Sequence, residues 1–409
     1  MDPSTASPTR LIYLDWLRVG AFGLLILYHV GMFYVTWDWH VKSDHAGHAI
    51  EPLMLLTNPW RLTLLFLVSG AATRFMADKM SAGTLAGRRT GRLLLPLIFA
   101  MLVIVPPQSY YEVVEKIAYP DSYLAFWGRY LAADGSFCRD GDCLTLPTWN
   151  HLWFVAYLLV YTLLLVAVLA LFRTRLERLG AWLGRAPGWA LWLVPILYLA
   201  VARWYLLPIF EVTHALVDDW YNHAVSLPAF LFGFLALKDG RATEKFVRLR
   251  WSALVLFLVS YAAYAAYAWT YRADGAVPPE MLRTTMRLVY AADQWSAIVA
   301  AIGFGALHLN RDSKLLRTLT LGVFPFYIAH QTIIVVVGHH LKALHLPVGI
   351  EASLLIAATA LGCWLTFDIA RRVAVLRPLF GLGPRPFPFR GEGRLREAEP
   401  GRVGVEANT

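Results

Sequence analysis

The sequence predicts an all-α polytopic membrane protein with about ten transmembrane helices in one bundle and both termini in the cytoplasm. Hydrophobic residues make up 58% of the 409 residues and charged residues only 16%, a balance that soluble globular chains do not show. Apolar runs long enough to cross a bilayer core of roughly 30 Å recur along the chain. Most Lys and Arg residues fall in alternate loops, which places those loops in the cytoplasm.

The apolar runs define the predicted spans, of which the third and sixth are short. They cover residues 11–35, 52–73, 92–107, 151–172, 189–209, 224–237, 251–271, 289–309, 318–338 and 352–370. Residues 1–10 form a short cytoplasmic N-terminus, and 11–380 form one transmembrane domain. Residues 381–409, rich in Pro, Gly, Arg and Glu, form a disordered cytoplasmic tail. The first run is too long and too polar for a cleaved signal peptide, so we expect it to stay as an anchor.

The net charge of +9 follows from this topology, so it needs no nucleic-acid partner; the remaining alternative is that it gathers acidic ligands on the cytoplasmic side. The predicted location is a bacterial cytoplasmic (inner) membrane, with lipid around the spans. Cys138 and Cys143 lie in the long outer loop 106–150, where an oxidising compartment would allow a disulfide. That loop is either a lid that contacts the acceptor or a plain connector.

The first span carries three ionisable residues on one helical face. Arg18 and His29 are eleven positions apart, which is almost three turns, and Asp15 lies one turn from Arg18. Charges in a span are costly, so they indicate a buried polar track. The imidazole of His29 can take a proton from a hydroxyl that attacks an acyl carbonyl, or it can form a transient acyl-imidazole. The structural alternative is a packed, hydrogen-bonded histidine. Arg18 either binds an anion or pairs with Asp15.

Polar and aromatic residues near the outer surface are candidates for acceptor binding. Trp39 and His40 can stack on and hydrogen-bond a sugar, or they are ordinary interface anchors. Arg61 either snorkels to the surface or meets a carboxylate of an acyl group or acceptor. The remaining candidates either line the same cavity or make structural hydrogen bonds; they are His151, Trp153, Tyr327 and His330. The histidines after the first span lack the spacing of metal ligands, so no metal is predicted.

Candidates for donor binding lie toward the cytoplasm. Arg88, Arg89 and Arg92 can bind the phosphates of a nucleotide-bearing donor such as coenzyme A, or they are generic cytoplasmic charge. Ser69 precedes Gly70, a pair that allows close helix packing and that we also place at the donor site. Three further charges in the spans are expected to pair with one another; they are Arg203, Asp293 and Asp368.

Taken in order, these motifs resemble the integral-membrane acyltransferase-3 family over about residues 10–380. The matching motifs are Arg18 with His29, Phe66-x-x-Ser69-Gly70, Arg89-x-x-Arg92-Leu with Pro96, His151-Leu-Trp153-Phe, and Phe326-Tyr327-x-x-His330. More narrowly, three motifs are similar to a glucan biosynthesis subfamily that succinylates periplasmic glucans. They are Tyr13-Leu-Asp15-x-x-Arg18, Trp39-His40-Val41-x-Ser43 and Pro106-Pro-Gln108.

The resemblance implies a transmembrane O-acyltransferase that uses cytoplasmic acyl-CoA as a donor substrate, with no permanently bound cofactor, and a hydroxyl of a periplasmic or cell-surface glycan as acceptor. It gives catalytic roles to Arg18 and His29, to which we add Asp15, and it places Arg89 and Arg92 near the donor. Arg61 favours a succinyl donor over an acetyl donor. The family commonly has an aromatic residue after the glycine of the second span, where this chain has Ala71. The alternative function is a membrane transporter of a small anion or glycan that uses the polar track and consumes no coenzyme A.

Overall fold

A computed structural model describes residues 11–383, and almost all of its regular structure is helical. Its helices are α1 (Ile12–Met32), α2 (Glu51–Leu55), α3 (Arg61–Ala77), α4 (Ala82–Phe99), α5 (Pro106–Ile117), α6 (Tyr123–Leu131), α7 (Trp153–Arg185), α8 (Gly188–Tyr205), α9 (Trp220–Ala236), α10 (Arg241–Thr270), α11 (Glu280–His308), α12 (Lys314–Lys342), α13 (Val348–Arg372) and α14 (Leu376–Leu379). Two short strands, β1 (Cys138–Arg139) and β2 (Asp142–Cys143), pair antiparallel. The predicted all-α polytopic class is confirmed. The predicted segment 1–10 and residues 384–409 of the predicted tail lie outside the described residues.

Within residues 11–383, eight helical segments are long and apolar enough to cross a membrane. They are Ile12–Met32, Ala82–Ile117, Asn150–Arg185, Gly188–Tyr205, Arg241–Thr270, Glu280–His308, Lys314–Lys342 and Val348–Arg372. The other two predicted spans correspond to α3 and α9, which have 17 residues each. The count of ten spans and the cytoplasmic location of both termini stay predictions.

Two predicted spans have different bounds in the structure. The second was placed at 52–73, but its helix starts at Arg61 because the Asn58-Pro59 pair disfavours helical backbone before it. The third was placed at 92–107, but α4 continues through the π-helical turn Ala100–Ile104 into α5, so helix extends to Ile117. The outer loop therefore contains the end of this long rod, α6 and the strand pair. A disulfide joins Cys138 to Cys143 across that pair.

The shorter helices α3 and α9 pack against each other through two glycines. A Cβ atom at Gly70 would overlap the carbonyl oxygen of Phe230, and a Cβ atom at Gly233 would overlap that of Leu67. Because neither glycine has a side chain, the two backbones approach closely, as small residues allow in membrane bundles. This contact fixes α3, and with it Arg61, in the bundle. The structure thus shows the close helix packing that the Ser69-Gly70 pair allows.

The expected pairing among the three other charges in the spans was wrong. Asp368 pairs with Arg371 and Arg372 at the end of α13. Arg203 instead lies over the ring of Tyr290, with its guanidinium carbon 3.6 Å from the ring centroid. An electron-rich ring stabilises a guanidinium at this distance, so Arg203 has no need of a carboxylate.

Candidate functional site

His29 and His330 form the centre of the candidate site. Nδ1 of His29 lies 2.7 Å from Nε2 of His330, and the two rings are nearly parallel with their centroids 5.0 Å apart. α1 and α12 pack side by side, which brings together residues separated by 301 positions. His330 is fully buried, whereas His29 is only partly so.

The hydrogen bonds of His330 determine which nitrogen of His29 carries hydrogen. Nδ1 of His330 lies 2.8 Å from the backbone carbonyl oxygen of Tyr327, and a carbonyl oxygen can only accept. Nδ1 of His330 therefore carries the hydrogen, and its Nε2 accepts from Nδ1 of His29. In this neutral pair, Nε2 of His29 keeps its lone pair. No side chain among residues 11–383 bonds to that atom, so it is available as a base.

His151 completes a cluster of three histidines with His29 and His330. Like His330, it bonds the backbone carbonyl group of Tyr327. Its Nε2 donates to the carbonyl oxygen of Tyr327 at 3.0 Å, and its ring lies edge-on to that of His330 with centroids 5.0 Å apart. The hydroxyl of Tyr327 in turn donates to the backbone carbonyl of His151. His151 and Tyr327 thus hold α7 against α12 beside the central pair. Trp153, the first residue of α7, stacks on His214 with ring centroids 4.2 Å apart.

A chain of polar side chains leads from this cluster to the outer surface. Nε2 of Gln331 donates to Oε1 of Gln108 at 3.2 Å and to Nε2 of His40 at 2.9 Å. Nδ1 of His40 then donates to the carboxylate of Glu112 at 2.5 Å. Gln108 and Gln331 are almost fully buried, so this polar track crosses packed protein. Trp39 lies beside His40, with ring centroids 5.6 Å apart.

Lys42 fixes the segment that carries Trp39 and His40. Its ammonium donates to the carbonyl oxygens of Met32 at 2.7 Å and Val35 at 2.8 Å, which closes the outer end of α1. Burial in this position lowers the pKa of Lys42 to about 8. The turn after α1 is therefore held by a cation at a helix C-terminus, where the helix dipole favours positive charge.

Arg61 is a buried cation whose contacts within residues 11–383 include no carboxylate. Its guanidinium carbon lies 3.4 Å from the ring centroid of Tyr28, and Nη1 donates to Asn58 at 3.3 Å. Its Nε is buried without a hydrogen-bond partner. Arg61 is only 3% exposed, so it does not snorkel to the surface. A buried donor left unbonded is costly, so Arg61 is a candidate position for binding an anion.

Arginines collect at the ends of α1 and α4 that are predicted to be cytoplasmic. Nη2 of Arg18 bonds Oδ1 of Asp15 at 2.7 Å, as the pairing interpretation predicts. Arg89 and Arg92 lie one turn apart on α4, and Nε of Arg89 is buried without a hydrogen-bond partner in the described part of the chain. Arg88 and Arg92 are exposed. This end of the site is therefore strongly positive.

α3 holds Arg89 in place. Nη2 of Arg89 donates to the hydroxyl of Thr73, which donates to the backbone carbonyl of Ser69 at 2.8 Å. Ser69 thus reaches the arginine cluster through its carbonyl group. The structure connects Arg89 to Ser69 through Thr73, and separately places His151, Tyr327 and His330 around His29. Arg18 and Asp15, which were predicted to be catalytic, pair with each other almost three turns from His29 on α1.

Sequence reasoning missed Gln108, Gln331 and Glu112 as site residues. Gln108 and Gln331 lie directly after and inside apolar runs, but only charged residues and histidines in the spans are treated as candidates. Glu112 was missed because it lies beyond the end of the predicted third span. His330 was assigned to acceptor binding, but its full burial behind His29 favours a positioning role.

The fold and site define a membrane acyltransferase: the chain belongs to the acyltransferase-3 family, whose acyltransferase domain matches residues 11–368. Among curated relatives it is similar to the glucans biosynthesis protein C of Salmonella schwarzengrund (strain CVM19633), with 21% identity over 96% of this chain and 99% of the relative. The proteins of the same name from Salmonella typhi and Salmonella typhimurium are 20% identical with the same coverage. No solved structure matches the chain. The predicted family resemblance is confirmed.

Proposed function

We propose that this acyltransferase moves an acyl group from cytoplasmic acyl-CoA to a hydroxyl of an extracytoplasmic glycan, with succinyl favoured over acetyl. The observation that carries the proposal is the unbonded Nε2 of His29, held by His330 between an arginine-rich end and a polar outer end. The names of the curated relatives support a glucan as acceptor.

His29 acts as the general base in this proposal. The acceptor oxygen attacks the thioester carbonyl carbon while its proton passes to Nε2 of His29. The carbon–sulfur bond then breaks, and the thiolate of coenzyme A takes the proton from Nε2. The products are an oxygen ester and free coenzyme A thiol, and the histidine pair returns to its starting state.

The arginines orient the donor. Arg89 and Arg92 bind the phosphates of coenzyme A, since guanidinium groups match phosphate geometry. Arg18 extends this positive surface along α1 toward His29, and Asp15 holds its guanidinium in place. The acyl end then reaches the unbonded Nε of Arg61, whose guanidinium lies on the ring of Tyr28, the residue before His29.

Purified protein in liposomes, supplied with labelled succinyl-CoA and a glucan, tests the proposal. We expect thiol release, detected with a chromogenic reagent, together with label in the glucan fraction. Movement of a small anion or glycan across the liposome membrane with no thiol release from any donor would overturn the proposal in favour of a transporter.

The change Arg61→Gln should reduce succinyl transfer about tenfold or more relative to acetyl transfer. The succinyl carboxylate would lose a charge-assisted hydrogen bond, which is worth about 1.5–3 kcal/mol. The measurement is kcat/KM for both donors. Arg61→Lys, which keeps the charge, serves as the matched control and should show a smaller change in this ratio. An equal loss of kcat/KM for both donors would show that Arg61 does not bind the succinyl carboxylate.

A further inference from the structure

A cleft of about 290 Å³ opens at the outer end of the site, between α5, the turn after α1 and the disulfide-closed strand pair. Its charged lining residues are Asp38, Glu112, Asp140, Asp142, Lys116 and Arg139. Ile117 and Leu144, both half-buried, provide an apolar wall. The volume is near the lower end of small-molecule sites, so it fits the end of an oligosaccharide better than a whole coenzyme.

The charges of the cleft exclude the donor. Four carboxylates face two cations, so the cleft is net negative and repels the phosphates of coenzyme A. Lys116 is already bonded to Asp38 at 3.0 and 3.1 Å and to Glu112 at 3.0 Å. A net negative cleft with an apolar wall suits an uncharged polyhydroxyl ligand, because carboxylates accept hydrogen bonds from hydroxyls and apolar side chains pack on sugar C–H surfaces.

Several of these carboxylate oxygens are available to a ligand. Asp38 has 88% of its side chain exposed although it bonds Lys116. The side chain of Asp142 is exposed and has no bonding partner among the described residues. Asp142 also belongs to the strand pair that the disulfide closes, so its position is fixed before a ligand arrives.

Hydrogen bonds between side chains link the cleft to the catalytic centre through Glu112. One oxygen of Glu112 bonds Lys116 inside the cleft, and the other accepts from Nδ1 of His40. His40 accepts from Gln331, the residue that follows His330 in α12. A ligand seated beside Glu112 therefore lies at the outer end of the polar track that reaches His29.

We propose that this cleft binds the uncharged, hydroxyl-rich end of the acceptor glycan beside the outer end of the polar track. The inference rests on the proposed function and adds to it the residues that hold the acceptor. It assigns Asp38 and Asp142 as hydrogen-bond acceptors for sugar hydroxyls and Ile117 and Leu144 as the apolar surface on which a sugar packs.

The test measures glycan binding and transfer separately. Asp142→Ala and Asp38→Ala should each raise KM for the glucan about tenfold, as expected for one lost hydrogen bond to a charged group. Values of kcat should be unchanged, and so should thiol release without glycan. Asp274→Ala, at an exposed residue outside the cleft, is the matched control. Equilibrium dialysis with labelled glucan should show the same loss of affinity, and coenzyme A should not compete.

The outcomes separate the inference from the proposed function. Wild-type KM and dialysis affinity in both cleft variants would overturn the inference while acyl transfer itself remains. A reduced thiol release in Asp142→Ala, or displacement of glucan by coenzyme A, would also overturn it, because the cleft would then contact the donor. Absence of thiol release from every donor in the wild-type protein would overturn the proposed function instead.

Discussion

Replacing His29 with Gln should lower kcat for acyl transfer by about 10²–10⁴-fold, the range that general-base catalysis contributes. The Gln side chain retains a donor for Nε2 of His330 but provides no basic nitrogen for the acceptor hydroxyl. The amide is of similar size, and His29 lies at a partly open position, so the fold should persist. Transfer of labelled succinyl groups to glucan measures the effect, and thermal melting in detergent checks the fold.

Three further histidine variants test this prediction more sharply. His330→Phe removes the acceptor that orients His29, so activity should fall and its pH profile should change; His330→Gln supplies an acceptor oxygen and should restore part of the activity. His308→Gln, at an exposed residue on α11, should leave transfer unchanged. Full activity in a well-folded His29→Gln protein would be incompatible with the proposed mechanism.

Replacing Gly70 with Ala should destabilise the protein by about 1–3 kcal/mol, as overpacking of a close contact does. The added methyl group would meet the carbonyl oxygen of Phe230, which is backbone and cannot turn away. α3 and α9 must then separate, and Arg61 moves with α3. Thermal unfolding in detergent should show a lower melting temperature together with reduced transfer.

Gly23→Ala is the matched control for this change. Gly23 lies in α1, and an added Cβ atom there meets no other atom within 4 Å. The same substitution should therefore leave the melting temperature unchanged or slightly higher, since Ala favours helix over Gly. Equal destabilisation by both substitutions would mean that the loss comes from glycine flexibility and not from the α3–α9 contact.

The sequence predicted the apolar segments and the residues of the site better than their connections. Runs such as 318–338 are long and uninterrupted, so hydropathy locates them. The start of α3 was missed because residues 52–60 are mostly apolar although they contain Asn58-Pro59, and hydropathy does not detect a break in backbone geometry. The extension of α4 into α5 was missed because Pro106-Pro107 normally marks a helix boundary, whereas prolines are tolerated in the first turn of a helix.

The relations between site residues could not be predicted in this way. His29 and His330 were each recognised, but their hydrogen bond depends on how α1 packs on α12, over 301 positions of sequence. Arg203 was expected to pair with an acid because charge patterns alone do not show that tyrosines surround it. Local spacing predicts which residues share a helical face, but tertiary packing decides what that face meets.

The long rod from Ala82 to Ile117 has a consequence for the distance between substrates. Arg89 lies near its cytoplasmic end and Glu112 near its outer end, so the rod places these residues roughly 35 Å apart at the usual helical rise. This one helical segment thus fixes the distance between the two ends of the proposed reaction path. Its π-helical turn fixes the rotation of α5 relative to α4 about the helix axis. Changes in bilayer thickness would then alter how the protein sits in lipid but leave the separation of donor and acceptor the same.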